Sequence, residues 1–119
     1  MKCRLPRKKE VAITLTTTLD LSGNMNSNYG YVIIGGTKYS SVQTIDVEIG
    51  AEVTVFCSSE LPSGQQKSFI TKNRVTVAKG TSTDGATYTW VITGATEVKF
   101  TRHAGSAGVY YWTAAITTQ

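Results

Sequence analysis

The sequence has few charged residues, a single histidine and only two cysteines. Charged side chains make up 17% of its 119 residues, below the roughly 25% of typical globular domains. A hydrolytic triad needs a histidine held between a carboxylate and a nucleophile. The only histidine, His103, is followed by Ala-Gly-Ser-Ala-Gly, a loop-like stretch. We therefore expect His103 to be a solvated loop residue, and we expect the protein to be no enzyme and to have no catalytic residues.

The spacing of the potential metal ligands is equally unfavourable. Cys3, Cys57 and His103 are scattered and form no C-x-x-C motif, so we expect no metal site and no other cofactor. Asp46 and Glu48 share a strand face, as carboxylates that bind Ca²⁺ or hydrolyse glycosides do. Their alternation with apolar residues indicates an ordinary solvated face instead. We expect Cys57 to be a small core residue with a free thiol, and a Cys3–Cys57 disulfide is the alternative.

Long hydrophobic runs are missing as well. No stretch approaches the roughly 20 apolar residues that a membrane-spanning helix needs. The basic start, MKCRLPRKK, leads into VAITL, where Ala and Thr interrupt the apolar residues, so the apolar core of a signal peptide is lacking. The sequence therefore predicts a protein made in the cytoplasm without a signal peptide and without membrane association.

What the sequence does contain is alternation of apolar and polar residues with period two, rich in Thr, from Val11 onward. Such alternation is typical of half-buried strands, and turn signals recur every eight to twelve residues. The pattern predicts about seven to nine short strands in one antiparallel β-sandwich over residues 11–119, with a small β-barrel as the alternative. No segment has the apolar spacing of a helix.

Several local features follow from the same pattern. Val11, Ile13 and Leu15 are predicted to form one apolar strand face, and residues 21–28 a polar loop. We predict a hairpin at Gly35-Gly36, a tight turn at Lys72-Asn73, a hairpin at Gly94-Ala95 and a Thr-rich tail after Trp112.

The aromatic residues are candidates for the core or for a contact surface. We expect Trp90 and Trp112 to pack in the core, and Tyr39 and Tyr110 to be surface rings that contact a sugar or a protein. Two further pairs are predicted to share strand faces, namely Tyr29 with Tyr31 and Tyr88 with Trp90.

The positive charge is concentrated at the N-terminus. Five of the 12 basic residues lie among the first nine positions, and the rest of the chain balances to −1; the five are Lys2, Arg4, Arg7, Lys8 and Lys9. We treat residues 1–10 as a basic arm, kept extended by Pro6. Nucleic-acid binders usually carry a basic stripe on the folded body too, so the arm favours docking on a partner protein.

Two pairs of segments carry a resemblance to a known family. They are residues 29–39 followed by 45–55, and residues 70–80 followed by 88–93, and the likeness spans about residues 11–101. The chain resembles the Ig-like β-sandwich proteins encoded in structural gene modules of tailed phages and of prophages of Gram-positive gut bacteria. Where that family has a recurring hairpin that begins Asn-Gly, this chain has Asn73-Arg74-Val75.

The resemblance implies a structural or accessory protein of a virion, in capsid decoration or at the tail, with no catalytic residues to carry over. Such a protein would dock on a viral or other protein assembly through its arm, and it could form a homo-oligomer. The alternative is a carbohydrate-binding module that binds a glycan through surface Tyr or Trp rings. Nucleic acid is the least favoured partner.

Overall fold

The computed structural model describes residues 14–61, 65–81, 84–105 and 108–119, and every helix or strand element within these ranges is a strand. The ten strands are β1 (Thr16–Gly23), β2 (Gly30–Ile34), β3 (Thr37–Tyr39), β4 (Gln43–Glu48), β5 (Glu52–Cys57), β6 (Phe69–Lys72), β7 (Val75–Lys79), β8 (Ala86–Val91), β9 (Thr96–Ala104) and β10 (Tyr110–Thr118).

The strands form two sheets that share one core. One sheet has six strands in the order β4-β1-β9-β10-β6-β7, and the other has four in the order β3-β2-β5-β8. Most neighbours pair antiparallel, but β1 with β9 and β10 with β6 are parallel. The all-β prediction is confirmed, whereas a purely antiparallel arrangement and a count of seven to nine strands are wrong. The described strands do not close into a barrel.

The core lies between the sheets and is built from alternate positions of their strands. The largest completely buried side chains include Trp112, Phe100 and Leu19, each at most 1% exposed. Burying a side chain of this size stabilises the fold by about 1.5–3 kcal/mol. Trp90 is buried too, with 7% of its surface exposed, so both tryptophans pack in the core as predicted.

The first strand differs from its prediction. Leu21 is 1% exposed and lies within β1, so the loop predicted from residue 21 begins too early. Leu15 is 65% exposed and contributes no buried face, because the inner positions of β1 are Leu19 and Leu21. Val11 and Ile13 lie outside the described residues.

The turns follow the predictions in part. Gly35 and Gly36 have φ values of 56° and 82°, as a type I′ hairpin between β2 and β3 requires. The turn between β6 and β7 centres on Asn73 and Arg74, one residue later than predicted. Gly94-Ala95 forms no hairpin, because β8 and β9 belong to different sheets. The Thr-rich residues after Trp112 continue β10 as far as Thr118.

Candidate functional site

The described part of the chain begins at one end of the sandwich. The five cationic residues of the basic arm, Lys2, Arg4, Arg7, Lys8 and Lys9, lie outside the described residues. The first described contact is at Leu15, whose carbonyl accepts a hydrogen bond from the Ile49 backbone N–H (2.8 Å). Thr16 then pairs with Glu48 at the start of β1. The chain therefore enters the six-stranded sheet beside the end of β4.

A groove lies at the same end, where β4 faces the β2–β3 hairpin of the other sheet. It has a volume of about 580 Å³, and apolar side chains supply much of its lining. The apolar lining residues include Ile33, Ile34, Tyr39, Ile45 and Val47, and the acidic ones are Asp46, Glu48 and Glu52. Among the described residues, none that lines the groove is basic. The groove thus combines an apolar surface with three carboxylates.

The acidic residues continue from the groove onto the outer face of the six-stranded sheet. On β4, Asp46 is exposed, and in β1 Asp20 is exposed and accepts a hydrogen bond from the Thr44 hydroxyl (2.6 Å). Asp20 is also the register partner of the exposed Glu97 on the neighbouring strand β9. Asp46, Glu48 and Glu52 therefore line the groove, whereas Asp20 and Glu97 line a separate depression on the outer face of β1 and β9.

The two tyrosines that we predicted as surface rings are both half-buried. Tyr39 and Tyr110 pack against the core. Tyr39 lines the groove, and Tyr110 lies at the other end of the sandwich, where the Arg102 guanidinium is 3.7 Å from its ring centre. Each ring keeps one accessible side at most, and the two are at opposite ends. They do not form a common platform.

The end opposite the groove holds a stack of rings. Tyr29 stacks on Trp112 with 4.9 Å between ring centres, and the indole N–H of Trp112 donates to the Asn24 carbonyl (2.8 Å). Tyr31, by contrast, stacks on Phe56. The prediction that Tyr29 and Tyr31 share a face is therefore wrong, because the chain bends before β2 begins. Tyr88 and Trp90 do share a face and stack at 5.6 Å.

A pair of rings lies on the outer face of the four-stranded sheet. Tyr31 and Phe56 are opposite each other on β2 and β5, 4.8 Å apart, and the Lys38 ammonium lies 4.2 Å from the Tyr31 ring centre. Sequence reasoning missed Phe56. The signal was available, because Phe56 alternates with Val55 and Cys57, which are fully buried.

His103 lies in β9 and not in a loop. Its ring stacks on Tyr111 with 4.7 Å between centres, and Nε2 is 3.0 Å from the Thr113 hydroxyl. The structure thus gives His103 a positioned, half-buried ring on the outer face of the sheet. Within the described ranges, no three His, Cys, Asp or Glu side chains form a cluster that could hold a metal ion.

Cys57 is a completely buried free cysteine, as predicted. Burial raises the pKa of its thiol from an ordinary value of 9.0 to about 12, because the apolar surroundings disfavour the thiolate. A thiolate nucleophile needs the opposite shift. Cys57 therefore serves packing, and Cys3 lies outside the described residues.

No protein-family model, curated protein or solved structure matches this chain. In the part of the chain that the structure describes, no helix is long and apolar enough to span a bilayer.

Proposed function

We propose that the protein is a non-enzymatic structural or accessory protein of a tailed-phage-type virion, with an Ig-like sandwich that attaches through its basic arm. The observation that supports this proposal is the division of charge. The first nine residues hold five cations, and the chain after them balances to −1. A cationic extended segment on a near-neutral body suits docking on an acidic protein surface.

The two-sheet body is consistent with such a role. Its outer faces are rich in Thr, and β1 begins at one end of the sandwich. A segment joined there can hold the body to a surface while the rest of the sandwich projects away from it. This arrangement would suit capsid decoration and tail association alike.

Co-purification with virus particles tests the proposal. Full-length protein should band with particles in a density gradient. A variant with Lys2, Arg4, Arg7, Lys8 and Lys9 changed to Gln should be lost from them. The matched control changes five cations of the body to Gln, namely Lys67, Lys72, Arg74, Lys79 and Lys99, and should remain attached. Equal attachment of the two variants would exclude docking through the arm.

A carbohydrate-binding module is the second candidate, and the Tyr31–Phe56 pair favours it. These two half-buried rings lie on an outer sheet face, and Phe56 and the Lys38 ammonium both contact Tyr31. A sugar would therefore meet the ring edges and the ammonium rather than a bare face of Tyr31. Binding on a glycan array that is lost in Tyr31→Ala and kept in Tyr110→Ala would support this candidate. An array without signal for the full chain would remove it.

A further inference from the structure

Backbone groups along the outer edge of β4 have no hydrogen-bond partner among the described residues. Among the described strands, β4 is the outermost of the six-stranded sheet. The Ile49 N–H bonds to the Leu15 carbonyl (2.8 Å), and in an antiparallel pair the bonded positions alternate. With the register of Thr18 opposite Asp46, the backbone N–H and C=O groups of Thr44 and Asp46 point away from β1. This edge can accept an extended segment.

The groove determines which kind of segment fits there. A strand added to β4 would lie against the apolar lining that includes Ile34, Tyr39 and Ile45, and beside three carboxylates. Within the described residues, Asp46, Glu48 and Glu52 have no cationic partner. The occupant should therefore be extended, partly apolar and positively charged.

The sequence of the N-terminal segment of this chain matches the charge and the apolar character of such an occupant. Its five cations are followed by Val11 and Ile13, which alternate with polar or small residues as strand residues do. Thirteen residues precede the described chain, and an extended chain of this length spans about 43 Å. The six residues of β4 span only about 20 Å, so the segment is long enough to cover the edge.

The geometry of β1 favours the groove of another molecule. Leu15 lies opposite Ile49, after the last residue of β4. At its N-terminal end β1 therefore points past the β4–β5 turn, away from the β4 edge of the same molecule. The chain would have to reverse direction to reach its own groove, whereas a second copy can receive it directly.

We infer that the N-terminal segment of one molecule docks as an added strand along the free edge of β4 in a second molecule, with its cations against Asp46, Glu48 and Glu52. The contact is head-to-tail, because arm and groove are different surfaces. It concerns the protein in solution and does not rest on attachment to a virion.

Sedimentation velocity over a concentration series at low salt tests the inference. The full chain should self-associate, and the variant with the five arm cations changed to Gln should stay monomeric. Asp46→Asn with Glu48→Gln should weaken association about tenfold, as the loss of two partly shielded charge pairs predicts. The control, Glu60→Gln with Asp84→Asn, removes the same charge outside the groove and should associate like the full chain.

Proline substitutions test the backbone edge without a change in charge. Thr44→Pro removes an outward-facing N–H of β4, and proline is tolerated at such edge positions. Thr89→Pro is the matched control. The backbone N–H of Thr89 points to the outer edge of β8, the last described strand of the four-stranded sheet, and Thr89, like Thr44, makes an exposed side-chain hydrogen bond. Only Thr44→Pro should reduce association, and circular dichroism verifies the fold of both variants. If Thr44→Pro does not fold, the carboxylate pair and its control remain the test.

Three outcomes would overturn the inference: a full chain that is monomeric at every concentration, association that survives neutralisation of the arm, or equal effects of the groove variant and its control. Virion attachment is measured separately. Particle binding that persists in the Asp46→Asn, Glu48→Gln variant while self-association is lost would separate the two proposals.

Discussion

Arg74 is held in a backbone conformation that glycine adopts more easily. In the turn between β6 and β7, Asn73 and Arg74 have φ values of 49° and 71°. Asn tolerates this left-handed region, but an ordinary side chain pays about 1–2 kcal/mol there because its Cβ crowds the following carbonyl. The Arg74 side chain is exposed and makes no hydrogen bond or ion pair within the described part of the chain. Its conformation therefore costs stability that no hydrogen bond or ion pair to a described residue offsets.

Arg74→Gly should stabilise the protein. Relief of about 1–2 kcal/mol is reduced by about 0.5–1 kcal/mol, because glycine loses more chain entropy on folding. The net gain is about 0.5–1 kcal/mol, or roughly 2–5 °C in Tm for a domain of this size. Calorimetry or urea unfolding measures it. Arg74→Ala is the control, since alanine removes the side chain but keeps the Cβ, and its stability should stay near that of the parent. Equal stability of the two variants would refute the argument.

Three further changes test the core. Gly30→Ala should destabilise the fold by about 1–3 kcal/mol in urea unfolding, because an added Cβ would lie 2.9 Å from Cδ1 of Trp112; a neutral effect would contradict this packing. Leu21→Ala should cost about 2–5 kcal/mol and Leu15→Ala close to nothing, since the two leucines are 1% and 65% exposed; similar values would contradict the assigned start of β1. Burial raises the pKa of Cys57 from 9.0 to about 12, so between these pH values the folded protein keeps a proton that the unfolded chain releases. The free energy of unfolding should therefore fall from pH 9 towards pH 12, and the part of this fall that is due to the thiol should be absent in Cys57→Ala. A thiol reagent should modify Cys57 only after denaturation, and rapid labelling of the folded protein would argue against its burial.

Local features of the fold could be predicted from the sequence because they depend on neighbouring residues. The Gly35-Gly36 turn needs only two residues that accept positive φ. The burial of Val53, Val55 and Cys57 follows from alternation along a single strand. The same rule, applied to β5, identifies Phe56 as an outward-facing ring.

Pairings between distant strands could not be predicted in this way. The parallel contact between β1 and β9 joins residues 19–23 to 96–100, and no short turn signals such a contact. The Gly94-Ala95 prediction failed for the same reason. Two strand-like runs around a turn indicate a hairpin only if both strands stay in one sheet, and which sheet β9 joins depends on tertiary packing.

The candidate site, too, could be predicted from the sequence only where it depends on neighbouring residues. Alternation predicted that Asp46 and Glu48 project from one face, and the structure has both exposed on β4. That Glu52 joins them at one groove depends on how the two sheets meet. The −1 balance of the chain after its first nine residues also concealed an uneven distribution, because an average over the chain ignores that Asp46, Glu48 and Glu52 line one groove.

The charges on β4 have a simpler explanation that is compatible with the proposed docking. Exposed edge strands invite unwanted pairing, and charged side chains such as Asp46 and Glu48 are a common protection against it. Protection by charge is selective, however. Carboxylates repel acidic strands and disfavour neutral ones, which would bury the charges without a partner, but they attract a strand that brings cations. The only strongly cationic segment of this chain is its own N-terminus. An edge protected against general aggregation by these carboxylates therefore remains open to the arm of a second copy.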